Sequence, residues 1–157
     1  MVQVISAPLQ PSLCATAESD SRQLRVGLYQ MKWYDDTSEH LQQLHAGVAA
    51  CAHAGAQIVF LPELTLSRYP ADKRPESSSD RQPEDISNGP TVAFAKDAAR
   101  ENDVFVQVSL YEQVARDDGL GFNTAVLVAP NGEIAAQTRK LHTVSYTHLT
   151  LPTKSTV

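Results

Sequence analysis

The sequence predicts an α/β fold in which helices pack against a largely parallel sheet. Segments with the apolar period of a helix alternate with segments typical of strands, in the order strand, helix, strand, helix, strand, strand, strand. An Asn131-Gly132 pair between the last two strands is typical of a hairpin turn. The 157 residues suit one domain with a core of its own.

The first three elements each carry a distinct pattern. Residues 24–30 alternate apolar and polar side chains, which predicts a half-buried strand. Asp36 with Glu39 three positions later is typical of a helix N-terminus, and Gly55 predicts the end of that helix. Residues 57–61 are apolar on both faces, which predicts a buried strand. The helix has apolar residues at helical spacing: Leu41, Leu44, Val48 and Cys51.

The second half repeats the pattern and closes with the hairpin. Residues 67–88 are rich in proline, serine and charge, which predicts a long surface loop. Pro90, just after Gly89, is typical of the first turn of a helix. Three further strands are expected, at residues 104–110, 123–129 and 134–138.

Composition excludes several classes of function. The net charge of −5 leaves no basic stripe for nucleic acid, and no apolar run approaches the roughly 20 residues that span a membrane. Residues 1–23 lack the pattern of a signal peptide and are expected to be a flexible leader. Two lone cysteines make no disulfide framework, which favours a reducing cytoplasm. The five histidines show no metal-ligand spacing, so we expect no metal and no cofactor.

Two charged residues follow predicted strands directly. Glu63 comes after the second strand and Lys140 after the last. Reactive groups tend to collect at the carboxyl ends of strands in such sheets. Taken singly, however, an acid after a strand is solvated far more often than catalytic, and Lys140 is most simply a charged strand end. The two residues become informative only together with the motifs around them.

Six short motifs, in the same order along the chain, resemble those of the nitrilase superfamily, the carbon–nitrogen hydrolases. They are Arg25-Val26-Gly27-Leu28-Tyr29-Gln30, Phe60-Leu61-Pro62-Glu63, Ser87-Asn88-Gly89-Pro90, Phe122-Asn123-Thr124-Ala125, Pro130-Asn131-Gly132-Glu133 and Thr138-Arg139-Lys140-Leu141-His142. The resemblance covers residues 24–143 and implies a partial, truncated α-β-β-α sandwich. The segment 64–73 and the Lys-x-His ending look most like the N-carbamoylputrescine amidase branch.

The resemblance implies roles for three residues. Glu63 would be the general base and Lys140 the cation that stabilises the oxyanion. Partial burial beside Pro62 is expected to raise the pKa of Glu63 toward the working pH. Tyr69 would line the substrate site, although its being an aromatic residue packed on the surface is at least as good an explanation. The implied substrate is a small amide, carbamoyl-amine or nitrile, and full-length members of the family are expected to form homo-oligomers.

The nucleophile of this chemistry is a cysteine well downstream of the lysine, and the chain has none there. Cys51 belongs to the apolar stripe of the first helix, and Cys14 lies in the leader, so neither is expected to attack a substrate. We therefore expect the chain as written to be inactive. The alternative is a naturally short, non-catalytic binding or interaction module of the same fold.

The last fourteen residues permit two interpretations. Residues 144–151 could form a Thr-rich strand with alternating faces. Residues 145–153 also resemble translated sequencing-adapter read-through, which favours a non-native tail. The expected organisation is therefore a leader at 1–23, the N-terminal part of a carbon–nitrogen hydrolase domain at 24–143, and the tail at 144–157.

Overall fold

The structure, a computed structural model, describes residues 2–7, 23–68, 83–115 and 121–140. Within these ranges the elements follow the predicted order, and the α/β fold is confirmed. The strands are β1 (Val26–Leu28), β2 (Ile58–Phe60), β3 (Phe105–Glu112), β4 (Phe122–Val128) and β5 (Ile134–Arg139). The helices are α1 (Thr37–His53) and α2 (Pro90–Asn102). Neither helix of the described segments is long and apolar enough to span a lipid bilayer.

The five strands lie in one sheet in sequence order. The pairs β1–β2 and β2–β3 are parallel, because α1 and α2 each carry the chain back to the start of the next strand. The pairs β3–β4 and β4–β5 are antiparallel. The β4–β5 turn contains Asn131-Gly132, as predicted, with Gly132 at a φ of 83° that an L side chain rarely adopts.

Both helices pack on the same face of the sheet. Leu44 and Val48 of α1 and Val92 and Ala95 of α2 are completely buried there. The strand residues that meet them also lose all contact with solvent: Val59, Val106, Val108, Leu110, Val126 and Val128. Burying these aliphatic side chains is the main favourable contribution to the stability of the fold.

The opposite face of the sheet is not covered by the described residues. Leu28 is 79% exposed and Val26 44%, while Phe60 and Phe105 are 36% and 37% exposed. The expectations that residues 24–30 are half-buried through their apolar side chains and that residues 57–61 are buried on both faces are therefore wrong for the described chain. Alternation puts these apolar side chains on the face that carries no helix.

The predicted ends of α1 are confirmed. The Asp36 side chain accepts a hydrogen bond of 2.8 Å from the backbone N–H of Glu39, which satisfies one of the unpaired donors of the first turn. Gly55 follows the last turn at a φ of 86°, a conformation that glycine adopts without a steric penalty.

Helix α2 takes its N-terminal cap from a residue before the helix. Gly89 occupies the capping position and has no side chain to offer. Instead, the buried Glu84 carboxylate accepts hydrogen bonds from the backbone N–H and the hydroxyl of Thr91, at 2.8 and 2.7 Å. Glu84 is itself tied to the end of β3, since its N–H donates to the carbonyl of Tyr111 at 2.7 Å. The end of the predicted loop 67–88 is thus an ordered cap.

We predict that Glu84→Ala lowers the free energy of unfolding by about 2–3 kcal/mol, because two buried donors of Thr91 lose their acceptor. Glu84→Gln should cost about 1 kcal/mol, since an amide oxygen still accepts one of the bonds. Urea denaturation measures both. A Glu84→Ala variant as stable as the unmodified chain would show that the cap contributes nothing.

Candidate active site

Glu63 lies in a bulge that follows β2. The N–H of Leu61 donates to the carbonyl of Gln107 at 3.2 Å, and regular parallel pairing would next bring the N–H of residue 63 to Ser109. It is instead the N–H of Thr65 that donates to the carbonyl of Ser109, at 2.9 Å. Two extra residues therefore leave the ladder, and Glu63 stands at the centre of the protruding segment.

Thr65 ties the end of the bulge to β3 and to the start of the bulge. Its side chain is buried, accepts a hydrogen bond from the N–H of Ser109 at 3.1 Å and donates one to the carbonyl of Pro62 at 3.0 Å. The buried ring of His40 on α1 lies with Nε2 at 2.9 Å from the carbonyl of Thr65, where its N–H donates. Sequence reasoning gave neither Thr65 nor His40 a role, because neither has a distinguishing sequence pattern.

Leu64 gives the bulge its sharp turn. Its φ is 53°, in the left-handed region that a branched side chain rarely occupies. Its side chain is only 4% exposed and so contributes to the buried interior. Burial of Leu64 thus holds the backbone in a conformation that directs the preceding Glu63 outward.

Glu63 and Lys140 meet although 77 positions separate them. One carboxylate oxygen, Oε1, accepts hydrogen bonds from Lys140 Nζ at 3.0 Å and from Asn123 Nδ2 at 2.6 Å. The side-chain oxygen of Asn123 in turn accepts a hydrogen bond from the Ser109 hydroxyl at 3.1 Å. Asn123 belongs to a motif that resembles the nitrilase superfamily, but the sequence indicated no role for it. That motif was the one sequence feature that could have pointed to Asn123 as a site residue.

The pair is half open to water, with each side chain 44% exposed. Burial by itself would raise the pKa of the Glu63 carboxyl. The hydrogen bonds from Lys140 and Asn123, together with the charge of Lys140, outweigh burial and hold that pKa below its ordinary value. The expectation of a raised pKa is therefore wrong for this chain, because a cation lies directly against the acid.

A cavity of about 380 Å³ opens beside the pair on the uncovered face of the sheet. Its floor comes from Gln107 and Ser109 of β3 and from Ala125 of β4, and its rim includes Glu63 and Lys140. A second cavity of about 180 Å³ touches the other side of the bulge and is lined by residues of α1 and the preceding loop. A small polar molecule in the first cavity would reach both charges at once.

Within the described ranges, no thiol lies at this cavity. Cys51 packs against the core beside Gly27 of β1, on the face that the helices cover. Burial raises the pKa of its thiol, which disfavours the reactive thiolate. Cys14 and Tyr69 lie outside the described residues. The described segments also contain no cluster of three or more His, Cys, Asp or Glu side chains that could hold a metal ion.

Comparison with known sequences gives a match to one family. The model of the Carbon-nitrogen hydrolase family matches residues 25–156, which is most of the chain. The match includes the bulge, the hairpin and Lys140, and it continues past Thr143. The predicted non-native character of residues 144–157 stays a prediction, since they lie outside the described ranges.

Two curated relatives are similar over most of the chain. A citrullinase from Francisella tularensis is 26% identical over 119 residues, which cover 76% of this chain and 40% of the relative. Hydrolase C26A3.11 from Schizosaccharomyces pombe is 29% identical over 131 residues, 83% of this chain and 39% of the relative. The chain thus spans about two fifths of the length of either relative.

A solved structure shows the same fold. The crystal structure of a carbon-nitrogen hydrolase from Helicobacter pylori G27 superposes with a TM-score of 0.61 at 24% identity. The match covers 76% of this chain and 40% of that structure. At this level of identity the likeness concerns the fold alone.

The backbone strain at Leu64 predicts that a glycine at this position is more stable than an alanine, the opposite of the usual order in a helix. Leu64→Ala and Leu64→Gly both lose the buried side chain, but only glycine relieves the positive φ. We expect Leu64→Gly to be more stable than Leu64→Ala by about 1 kcal/mol in urea denaturation. At Leu44, in the middle of α1, the same pair should give the ordinary order, with glycine about 1 kcal/mol less stable. A less stable Leu64→Gly would contradict the strain.

The electrostatics of the pair predict a pH effect of Lys140→Gln. A depressed pKa at Glu63 stabilises the folded chain above the ordinary carboxyl pKa of 4.5, and this contribution is lost as the pH falls through the lower folded value. Removing the Lys140 cation should raise the pKa of Glu63 in a ¹³C NMR titration and reduce that acid-sensitive stability. Lys96→Gln, which removes a cation bound to the carbonyl of Ser87, is the control. The same Glu63 pKa in Lys140→Gln and Lys96→Gln would refute the interaction between Glu63 and Lys140.

Proposed function

Because the chain belongs to the carbon–nitrogen hydrolase family, we propose that Glu63 and Lys140 are the general base and the oxyanion-stabilising cation of a hydrolase that acts on non-peptide C–N bonds. The observation that carries this proposal is the shared contact of Lys140 and Asn123 with one oxygen of Glu63, at the rim of a cavity large enough for a small molecule.

The geometry supports a division of labour between the two residues. Glu63 is ionised at neutral pH and can therefore accept a proton from a nucleophile, and its low pKa makes it a weaker base than one tuned to the working pH. The Lys140 ammonium lies 3.0 Å from that carboxylate, and a substrate carbonyl oxygen in the cavity would lie within its reach. Asn123 holds the second hydrogen bond on Glu63 and so fixes the direction of the carboxylate.

The proposed reaction uses a cysteine thiol as its nucleophile. Glu63 takes the thiol proton, the sulfur bonds to the substrate carbon, and the carbonyl electron pair moves onto the oxygen beside Lys140. The tetrahedral intermediate collapses, the C–N bond breaks, and the amine leaves with the proton that Glu63 took from the thiol, which returns Glu63 to its carboxylate form. Water activated by Glu63 then hydrolyses the thioester. We propose that neither Cys14 nor Cys51 supplies this thiol and that the chain as written does not hydrolyse substrate.

The proposed substrates are small amides and carbamoyl-amines, with nitriles as a further possibility. The name of the Francisella relative gives citrulline as its substrate. Citrulline carries a ureido group. N-carbamoylputrescine, the compound after which the branch suggested by segment 64–73 is named, carries the same group. A ureido group offers N–H donors to a carboxylate and a carbonyl oxygen to an ammonium, which are the two groups at the rim of the cavity.

We propose a reducing compartment such as the cytoplasm for this chain. The partly buried Cys51 is a free thiol in the described part of the structure, and such thiols persist where reductants are present.

A second candidate is the non-catalytic interaction module, and the exposed apolar face of the sheet favours it. A monodisperse chain that unfolds cooperatively would support a self-sufficient module. Aggregation or loss of fixed tertiary packing would support a fragment of a larger enzyme, since an uncovered apolar face promotes self-association. Light scattering and near-UV circular dichroism distinguish the two.

The test of the proposed function combines turnover with binding. The 157-residue chain is incubated with citrulline, N-carbamoylputrescine or propionamide, and ammonia is measured. We expect none above buffer, because a base and a cation do not replace a covalent nucleophile. The same ligands should perturb the NMR signals of Glu63 and Lys140. Affinity should fall about tenfold in Glu63→Gln or Lys140→Gln, each of which loses a charged hydrogen bond.

Glu133→Gln is the matched control for this test. Glu133 is an exposed acid on the β4–β5 turn whose side chain contacts Asn131, away from the cavity. The Glu133→Gln variant should bind the ligands with the same affinity as the unmodified chain. Ammonia release by the unmodified chain would overturn the proposed inactivity, and ligands that leave Glu63 and Lys140 unperturbed would overturn the proposed site.

A further inference from the structure

Strand β5 carries Lys140 at its end but has almost no apolar contact to hold it. Ile134 is half-buried, and every later residue of the strand is exposed. Among the described strands β5 pairs only with β4, so it is an edge of the sheet. Backbone hydrogen bonds to one neighbour leave an edge strand free to fray. The position of Lys140 therefore depends on some other interaction near the end of β5.

Glu112 at the end of β3 supplies that interaction. Its side chain is only 4% exposed and accepts two hydrogen bonds from Arg139, at 2.8 and 2.6 Å. The hydroxyl of Thr124 donates a third, at 2.7 Å. The Arg139 guanidinium also lies 4.6 Å from the ring centroid of Phe122. A buried carboxylate bound at both oxygens by one guanidinium is a geometrically specific anchor.

The anchor and the lysine lie on opposite faces of the same strand. Arg139 is in register with Thr124, which is in register with Leu110, so its side chain lies on the face that carries the helices. The next residue, Lys140, projects to the other face and reaches Glu63. The backbone N–H of Lys140 also donates to the carbonyl of Asn123 at 2.9 Å. Fixing Arg139 thus fixes the point from which the lysine side chain departs.

We propose that Glu112 is a positioning residue: it anchors Arg139 across β4 and thereby holds Lys140 against Glu63. This inference rests on the proposed function for its catalytic meaning. Glu112 touches neither the cavity nor the two charges at its rim. It acts on Lys140 through Arg139, by setting the register and direction of the end of β5.

The ion pair between Glu112 and Arg139 shifts the pKa values of both partners. The hydrogen bonds from Arg139 lower the pKa of the Glu112 carboxyl; burial opposes them, and Thr124 and the charge of Arg139 reinforce them, so that the net shift is downward. The same pairing raises the pKa of Arg139. Both partners are therefore charged at neutral pH, and the anchor weakens as the pH falls through the lowered pKa of Glu112.

The experiment compares Glu112→Gln and Arg139→Gln in the full 157-residue chain, with two NMR measurements. Hydrogen exchange of the Lys140 backbone amide should accelerate about tenfold or more in both variants, because a charged, bidentate contact is lost. The pKa of Glu63 should move up toward its ordinary value, since Lys140 no longer stays within hydrogen-bonding distance. Arg139→Lys, which keeps the charge but makes one bond instead of two, should show a smaller change in both measurements.

Glu84→Gln is the matched control, because it neutralises another buried glutamate, whose backbone pairs beside Glu112 but whose carboxylate binds Thr91 of α2 and not Arg139 of β5. It should lower stability without moving the pKa of Glu63. A Glu112→Gln or Arg139→Gln chain that is folded and leaves the Glu63 titration unchanged would overturn the proposal, as would an equal shift in Glu84→Gln. If Glu112→Gln fails to fold, Arg139→Gln decides, since that side chain is 45% exposed.

The outcome is independent of the proposed function. The two NMR measurements report where Lys140 lies and not whether it takes part in hydrolysis. Ligands that leave Glu63 and Lys140 unperturbed in the unmodified chain, together with the expected shift of the Glu63 pKa in Glu112→Gln, would refute the function and keep the anchor. Ligands that perturb Glu63 and Lys140, together with an unchanged Glu63 pKa in Glu112→Gln, would refute the anchor and keep the function.

Discussion

The site depends on the way the chain rejoins β3 after β2. Leu61 and Thr65 both pair with β3, to carbonyls only two residues apart, so the residues between them have no room in the ladder. The surplus backbone must protrude, and it carries Glu63 with it. Thr65 stabilises the protrusion with its hydroxyl, and the buried Leu64 holds a left-handed turn that few non-glycine residues accept. The acid is thus placed by backbone geometry before any charge is considered.

A second constraint is that only one face of the sheet is covered by helices. The aliphatic core lies between that face and the two helices, which supplies the free energy of folding. The other face is therefore available for a cavity, and polar residues of β3 and β4 line it. The two buried carboxylates Glu84 and Glu112 lie on the helix side, where they accept hydrogen bonds from the buried donors of Thr91 and Thr124. Glu63 is the more exposed acid and has its charge compensated by Lys140.

The fold was largely predictable because its determinants are local. Helical spacing, the Asp36 cap, Gly55, Pro90 and the Asn131-Gly132 turn all act within a few residues, and each appears where the pattern predicted it. Burial was less predictable. The apolar residues of β1 and β2 indicated buried faces, but whether a face is covered depends on elements distant in the chain, and the described elements leave one face open.

The candidate site divides in the same way. Glu63 and Lys140 could be selected from the sequence because each follows a strand within a motif that resembles one family. The pKa of Glu63 could not be predicted, since its direction depends on the distance to a cation 77 positions away. Asn123, Thr65 and the Glu112–Arg139 anchor were also beyond sequence reasoning. The role of an amide, a hydroxyl or a charged side chain cannot be assigned until the group that it contacts is known.

By itself, then, the sequence determined the order and type of the elements, the two strand ends that carry charge, and the resemblance to carbon–nitrogen hydrolases. These follow from short-range patterns that survive without knowledge of the packing. Only the tertiary structure decided that the chain bulges at Glu63, that Asn123 and Lys140 share one of its oxygens, and that Arg139 is held from the opposite face. Those contacts join residues on or directly after four strands, β2 to β5, and only the packing of the sheet brings such residues within hydrogen-bonding distance.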